Sequence, residues 1–184
     1  YVKLGTQHCP GCGRPVKPES AGSILSTLLS RHAGGTVLIL FGVPVPGNAD
    51  TNDFFSFLQS QGYTRVLLFG EVIRTDEPAS FGKRKLPAVV HVIRDRTTLD
   101  AANKARITEA IEAALRFGRG TMSVSLAPSQ VSSLKPRILS FSTDWGCADC
   151  DLKLPAPTPG LFSFNNPIGA CPVCRGFGRT LGLD

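Results

Sequence analysis

Apolar positions along this chain switch between two spacings, and the switches mark its elements. Ile24, Leu25, Leu28 and Leu29 recur at the three-to-four spacing of one helix face, between Ser23 and His32, and Gly34 and Gly35 can stop that helix. Thr36 to Val43 is a continuous apolar run that predicts a buried strand, broken by Pro44, Pro46 and Gly47. Thr51 or Asn52 is placed to cap a second helix, which buries Phe54, Phe55 and Leu58 and ends at Gly62. Thr64 to Phe69 and Glu71 to Thr75 flank Gly70, the pattern of a hairpin.

Asp76 to Lys85 is polar and reads as a loop, with a basic run at Lys83-Arg84-Lys85; Leu86 to Arg96 is the next strand. The strongest helical pattern runs from Asp100 to Phe117. Ile107, Ala110, Ile111, Ala114 and Leu115 form its stripe, Glu112 and Arg116 are spaced to pair along its surface, and Gly118 can cap it. Thr121 to Ala127 and Arg137 to Ser142 are two further strands. The expected architecture is α+β: a mixed sheet of about five or six short strands with about three helices, flanked by a small zinc-binding module. Three parts follow: an opening segment over 1–19 with a Cys-x-x-Cys knuckle, the α+β domain over 20–143, and a cysteine-rich module over 144–184.

Composition narrows this picture little. A hydrophobic content of 42% over 184 residues suffices for a packed core. The apolar runs are too short or interrupted to cross a bilayer, and the start lacks the basic-then-apolar order of a signal peptide. The chain opens Tyr1-Val-Lys-Leu-Gly without Met, as an excised piece of a longer protein would. A net charge of +6 permits a nucleic acid or an acidic protein surface as partner and is equally that of a merely soluble basic domain.

The cysteines change the picture more. All six fall in Cys-x-x-Cys pairs: Cys9/Cys12, Cys147/Cys150 and Cys171/Cys174. A secreted disulfide framework usually scatters its cysteines, whereas two thiolates three residues apart can face one ion from a tight turn, so a reducing, cytoplasmic setting is expected. Twenty residues separate the last two pairs, which favours Cys147, Cys150, Cys171 and Cys174 as one closed, structural Zn2+ site. Cys9 and Cys12 supply only two ligands by themselves; they could also partner Cys147 and Cys150.

Catalytic patterns are missing. The sequence has no Gly-x-Ser-x-Gly elbow and no Gly-x4-Gly-Lys-Ser/Thr phosphate loop, and His8, His32 and His91 read as surface or satisfied core residues. The chain is therefore not expected to be an enzyme by itself. Basic residues gather in the strands and loops of the middle: Arg65, Arg74, Lys83, Arg84, Lys85, Arg94 and Arg96. If alternate positions bring Arg65, Arg74, Arg94 and Arg96 to one sheet face, they make a patch suited to carboxylate or phosphate; the alternative is a solvated face.

Two longer motifs carry a family resemblance. His8-Cys-Pro-Gly-Cys-Gly-Arg-Pro-Val and Leu161-Phe-Ser-Phe-Asn-Asn-Pro-Ile-Gly-Ala-Cys-Pro-Val-Cys-Arg-Gly-Phe-Gly resemble the UvrA family, the ATP-binding-cassette ATPases that detect DNA damage in bacterial nucleotide excision repair. Gly62-Tyr-Thr-Arg-Val-Leu-Leu-Phe-Gly-Glu-Val, Val89-Val-His-Val-Ile-Arg-Asp-Arg and Ala110-Ile-Glu-Ala-Ala-Leu-Arg-Phe-Gly-Arg-Gly are similar in order and spacing. The resemblance implies a segment of the first ATPase half, between its Walker A and signature motifs, within a homodimeric parent of the DNA-damage (SOS) response. It implies that residues ~20–143 dock UvrB, that Cys147, Cys150, Cys171 and Cys174 bind one zinc, with a further metal at Cys9 and Cys12 in some members, and that Arg94, Arg96 and more weakly Arg65 meet acidic residues of UvrB. A DNA-binding zinc module of a repair protein is the competing reading, tested by salt-dependent binding. A DnaJ-like zinc repeat and a thiol redox site rank below it, because only Cys171 to Gly178 has the repeat's form and no thioredoxin-like context surrounds the pairs.

Overall fold

The structure is a computed structural model that describes residues 2, 4–47, 49–77, 84–126, 137–150 and 152–179. It divides into two compact units: Pro18–Asp144, and Tyr1–Lys17 together with Trp145–Asp184. The opening knuckle, read from the sequence as a segment of its own, thus shares a unit with the C-terminal cysteine-rich stretch.

The larger unit contains helices α1 (Ala21–His32), α2 (Thr51–Ser60) and α3 (Lys104–Phe117). Its strands are β3 (Thr36–Pro44), β4 (Arg65–Leu68), β5 (Glu71–Arg74), β6 (Val89–Thr98), β7 (Thr121–Leu126) and β8 (Arg137–Ser142), ordered β5-β4-β6-β3-β7-β8. The α+β class and its three helices are those expected from the sequence. Each registered pairing in the sheet is antiparallel. Helix crossovers do make their flanking strands run the same way, β3 with β4 through α2 and β6 with β7 through α3. In each case, however, a returning strand sits between the two: β6 separates β3 from β4, and β3 separates β6 from β7. This interleaving of two split β-α-β units converts both parallel relationships into antiparallel neighbours.

Strand periodicity sets the core. Val37, Ile39 and Phe41 on β3, Val66 and Leu68 on β4, and Val90 and Val92 on β6 are buried on the face shared with the helices. The helices answer with Ile24 and Leu28, Phe55 and Leu58, and Ile107 and Ile111, at the spacings that put each pair on one face. Local chemistry fixes the element ends. Ser20 and Ser23 form a reciprocal capping box on α1. The cap of α2 is Asp50, ahead of the expected Thr51 or Asn52, because its carboxylate accepts from Asn52 N–H at 2.9 Å. The β4–β5 hairpin closes through Phe69 (φ 51°) and Gly70 (φ 88°), the two left-handed positions of a type I′ turn. Lys83 of the expected basic run lies outside the described residues.

The smaller unit is built from turns. Strand β1 (Gln7–His8) pairs with β2 (Pro15–Val16), and β9 (Gly146–Cys147) with β10 (Leu152–Lys153). Its apolar centre is Cys9, Val16 and Cys147, packed by Trp145, Cys150 and Leu154. A 3-10 turn at Pro159–Phe162 then leads into a loop so tight that a Cβ at Gly169 would stand 2.5 to 2.7 Å from three carbonyl oxygens, those of Gly160, Ser163 and Leu161.

Candidate functional site

Two hairpins build a cluster of four cysteines able to hold a metal ion. Pairing of Gln7 with Val16 and His8 with Pro15 folds Cys9-Pro-Gly-Cys12 into a knuckle, closed by Cys9 N–H to Arg14 O and Gly13 N–H to Cys9 O, both 2.8 Å. Gly13 takes φ 72°, the left-handed conformation the chain needs to turn back behind the second cysteine. Pairing of Leu152 with Cys147 folds Cys147-Ala-Asp-Cys150 in the same way. Arg14 of one knuckle pairs with Asp149 of the other. A Cβ at Gly11 would stand 3.3 Å from the Cys150 sulfur, so the knuckles approach closely there.

The result is that Cys9, Cys12, Cys147 and Cys150 hold their sulfurs within 4.8 Å of one another. Cys9 and Cys147 are buried, Cys150 half-buried and Cys12 exposed. Four sulfurs at Zn–S distances of about 2.3 Å in a tetrahedron would lie about 3.8 Å apart, so this cluster fits such an ion with small adjustments. The quartet differs from the one expected from spacing. Cys171 and Cys174 do not belong to it; the opening knuckle takes their place beside Cys147 and Cys150. The physical reason is that the β1–β2 and β9–β10 hairpins share one apolar centre, to which Cys9 and Cys147 themselves contribute. The sulfurs brought together thus come from segments 135 positions apart in the chain.

The sulfurs sit in conflicting fields. The Cys12 and Gly11 N–H groups point at Cys9 and, against burial, lower its thiol to about 7. Burial pushes Cys147 up despite N–H groups from Cys150 and Asp149. The neighbouring Cys12 thiol, with burial and the other two sulfurs, pushes Cys150 up to about 12. One thiolate thus forms readily and its neighbours resist ionising beside it. A divalent cation removes the conflict, since all four thiolates can then face one positive charge.

Cys171 repeats the knuckle pattern. N–H groups of Cys174 and Val173 point at its sulfur and lower its thiol, and Arg175 N–H donates to Cys171 O at 2.7 Å. It is exposed and Cys174 half-buried, beside an open pocket of about 410 Å³ bordered by Asn165, Asn166 and Arg175. No histidine joins a cluster of metal-ligating residues among the described residues. His8 Nδ1 lies 2.8 Å from Gly13 O, and half-buried His91 has its basicity lowered by burial.

The arginines separate by strand register. Arg65 faces Arg74 directly across β4 and β5, while the adjacent pair Val66 and Ile73 is buried with the helices, so both arginines lie on the sheet's other face. Arg96, paired with Leu38, lies on that face too, because its neighbour Thr97 pairs with buried Val37. Arg74 is occupied by Asp76 and, more distantly, Glu77. Arg94 is the residue skipped where the register shifts between Ile39 and Leu40: Ile39 faces Asp95 and Leu40 faces Ile93. Arg65, Arg94 and Arg96 are all exposed. What sequence reading missed is Arg106 on α3. It grips Asp95 through Nε at 2.8 Å and a second guanidinium nitrogen at 2.7 Å. The charges were visible in the sequence, but nothing local links positions eleven residues apart.

Known proteins resemble this chain along its whole length. It is 34% identical over 184 residues to UvrABC system protein A of Neisseria meningitidis serogroup A, covering 100% of this chain and 19% of that protein. UvrABC system protein A of Treponema pallidum is 29% identical over 195 residues, with 100% of this chain and 20% of that protein covered. The Streptomyces avermitilis protein of the same name is also 29% identical, with 18% of its length covered. The chain thus spans about a fifth of the length of these curated relatives. A family model described as the UvrA interaction domain matches residues 19–127, most of the larger unit, and the chain belongs to the UvrA interaction domain family.

Proposed function

We propose that this chain is a protein-docking module of nucleotide excision repair that binds UvrB through its α+β unit, with a structural zinc in its smaller unit. The observation that carries the docking reading is the match of the interaction-domain family to the unit whose exposed arginines, Arg65, Arg94 and Arg96, carry no hydrogen bond or ion pair among the described residues. Guanidinium groups left unpaired in this way suit bidentate contact with carboxylates of an acidic partner surface. Removing an exposed charge changes such an association mainly through its electrostatic steering and its ion pairs.

The zinc reading rests on the four-sulfur cluster. Its ligands are Cys9, Cys12, Cys147 and Cys150, and four thiolates leave no open position for water or substrate. Zinc there would hold two small hairpins together, with a binding energy on the order of 10 kcal/mol in small zinc peptides that is also folding energy. This docking role needs no ATP hydrolysis by the chain itself, whose sequence carries no phosphate-binding loop.

Immobilised UvrB and the full chain test the docking directly. The wild-type chain is retained, and Arg94→Glu and Arg96→Glu each weaken retention. A wild-type chain that is not retained, or charge reversals without effect, would sink the reading. Retention on DNA instead, falling steeply with salt, would favour the nucleic-acid module.

A further inference from the structure

The sequence Arg94-Asp95-Arg96 sets a problem for any partner that binds the two arginines. A carboxylate lies between them on the same strand, and an intramolecular carboxylate is present at a far higher effective concentration than one on another protein. Left to itself, Asp95 would compete for the Arg94 guanidinium, whose charge already acts on it through space. The structure shows why it does not. Both Asp95 oxygens are taken by Arg106: Oδ2 accepts from Arg106 Nε at 2.8 Å, and Oδ1 from a terminal guanidinium nitrogen at 2.7 Å. Oδ1 also accepts from the backbone N–H of Arg96 at 2.8 Å.

The backbone makes this capture possible. The register shift places Asp95 opposite Ile39, whose side chain is buried on the helix-covered face, and so turns Asp95 toward α3. Arg96 then falls on the opposite face, and Arg94 is the extra residue of the bulge. Asp95 keeps a side-chain exposure of 19% against 62% for Arg106, so the carboxylate is the sheltered member of the pair.

We propose that Arg106 is a positioning residue for partner binding: by occupying the Asp95 carboxylate it keeps the Arg94 guanidinium free for the carboxylates of an acidic partner. The inference rests on the docking role proposed above and extends it to a residue on a different element. Arg106 itself need touch no partner.

The test is a suppression experiment on the full chain with UvrB. Arg106→Gln releases Asp95, which then captures Arg94, and affinity falls about tenfold, the worth of one good exposed-to-interface ion pair. Adding Asp95→Asn removes the competitor, and the double variant regains affinity to within about twofold of wild type. A purely structural role for the Asp95–Arg106 pair would leave the double variant as weak as the single one, and that result overturns the proposal. So does an Arg106→Gln chain that binds like wild type. A second readout needs no partner: NMR of the arginine Nε–H groups should show slowed exchange at Arg94 in Arg106→Gln, and not in the double variant. Unchanged exchange in Arg106→Gln refutes the capture. If the wild-type chain fails to bind UvrB while the capture is seen, the docking role falls and the occupation of Asp95 by Arg106 stands.

Discussion

The sulfurs of Cys12 and Cys147 lie 3.5 Å apart, although they stand 135 positions apart in the chain. That contact makes the smaller unit a clasp formed by two distant segments. Each knuckle contributes two sulfurs, one buried and one less so: Cys9 with Cys12, and Cys147 with Cys150. Neither hairpin could bury its cysteines by itself, because each has only two residues per strand.

Zinc stoichiometry separates the two possible ligand sets. Elemental analysis of the purified chain should give one zinc at this cluster, lost in Cys12→Ser and in Cys147→Ser and kept in Cys171→Ser. Loss in Cys171→Ser together with retention in Cys12→Ser would return the site to the two C-terminal pairs. Because the metal couples to folding, the variants that lose it should also lose protection of the smaller unit against proteolysis.

Thiol accessibility gives an independent measure with a pH dependence. In the zinc-loaded chain, a thiol reagent should titrate Cys171 and Cys174 promptly and reach Cys9, Cys12, Cys147 and Cys150 only after a chelator is added. Acid should act as the chelator does. Cys147 is pushed up by burial, and Cys150 up to about 12 chiefly by its neighbouring thiol, so protons compete strongly for both sulfurs. Zinc retention therefore falls as pH is lowered. Equal reactivity of all six thiols in the loaded chain would contradict the cluster.

Most of the larger unit is legible in the sequence because its physics is local. The stripes on α1 and α3, the apolar run of β3 and the Gly70 hairpin each state their element within a dozen residues. The sheet order is another matter, since interleaving β6 between β3 and β4 depends on long-range packing that no window contains. The cysteines show the same division. Cys-x-x-Cys spacing announces a knuckle each time, yet three equivalent knuckles leave the choice of partners to tertiary structure. The opening pair, which spacing makes the less favoured partner of Cys147 and Cys150, is half of the gathered set. The Asp95–Arg106 grip was invisible for a related reason: a bulge turns Asp95 toward α3, and bulges leave no pattern in a run such as Val-Ile-Arg-Asp-Arg.

The loop after the 3-10 turn owes its glycine to crowding. At Gly169 a methyl group would stand 2.5 to 2.7 Å from the carbonyl oxygens of Gly160, Ser163 and Leu161, well inside the roughly 3.3 Å of even a close C–H···O contact. Those oxygens are backbone atoms and cannot rotate away. Gly169→Ala should destabilise the smaller unit by about 1–3 kcal/mol, the range of overpacking substitutions. Gly13→Ala is the comparison: its φ of 72° is left-handed, but no atom lies within 4 Å of the added carbon. It should cost about 1 kcal/mol from backbone conformation alone. Denaturant titration of the zinc-loaded variants measures both, and a Gly169→Ala chain as stable as wild type would refute the crowding.

The Asp95 pair should also leave a mark on stability against pH. The two Arg106 hydrogen bonds, and secondarily the Arg96 N–H, hold the Asp95 carboxyl below the usual carboxylate range. A depressed carboxylate stabilises the fold fully above its unfolded value of about 3.9, and that contribution is lost as pH falls through the lower folded value. Asp95→Asn should therefore be less stable than wild type at pH 7, with the difference shrinking only as pH falls below about 3.9 and through the lower folded value. Salt should narrow the gap only in part, because Arg106 is exposed while Asp95 is sheltered. Thermal midpoints of the two chains across that range provide the check. A difference that persisted unchanged well below about 3.9, to the lowest pH at which both chains stay folded, would mean that the loss came from the altered side chain's packing and not from its charge.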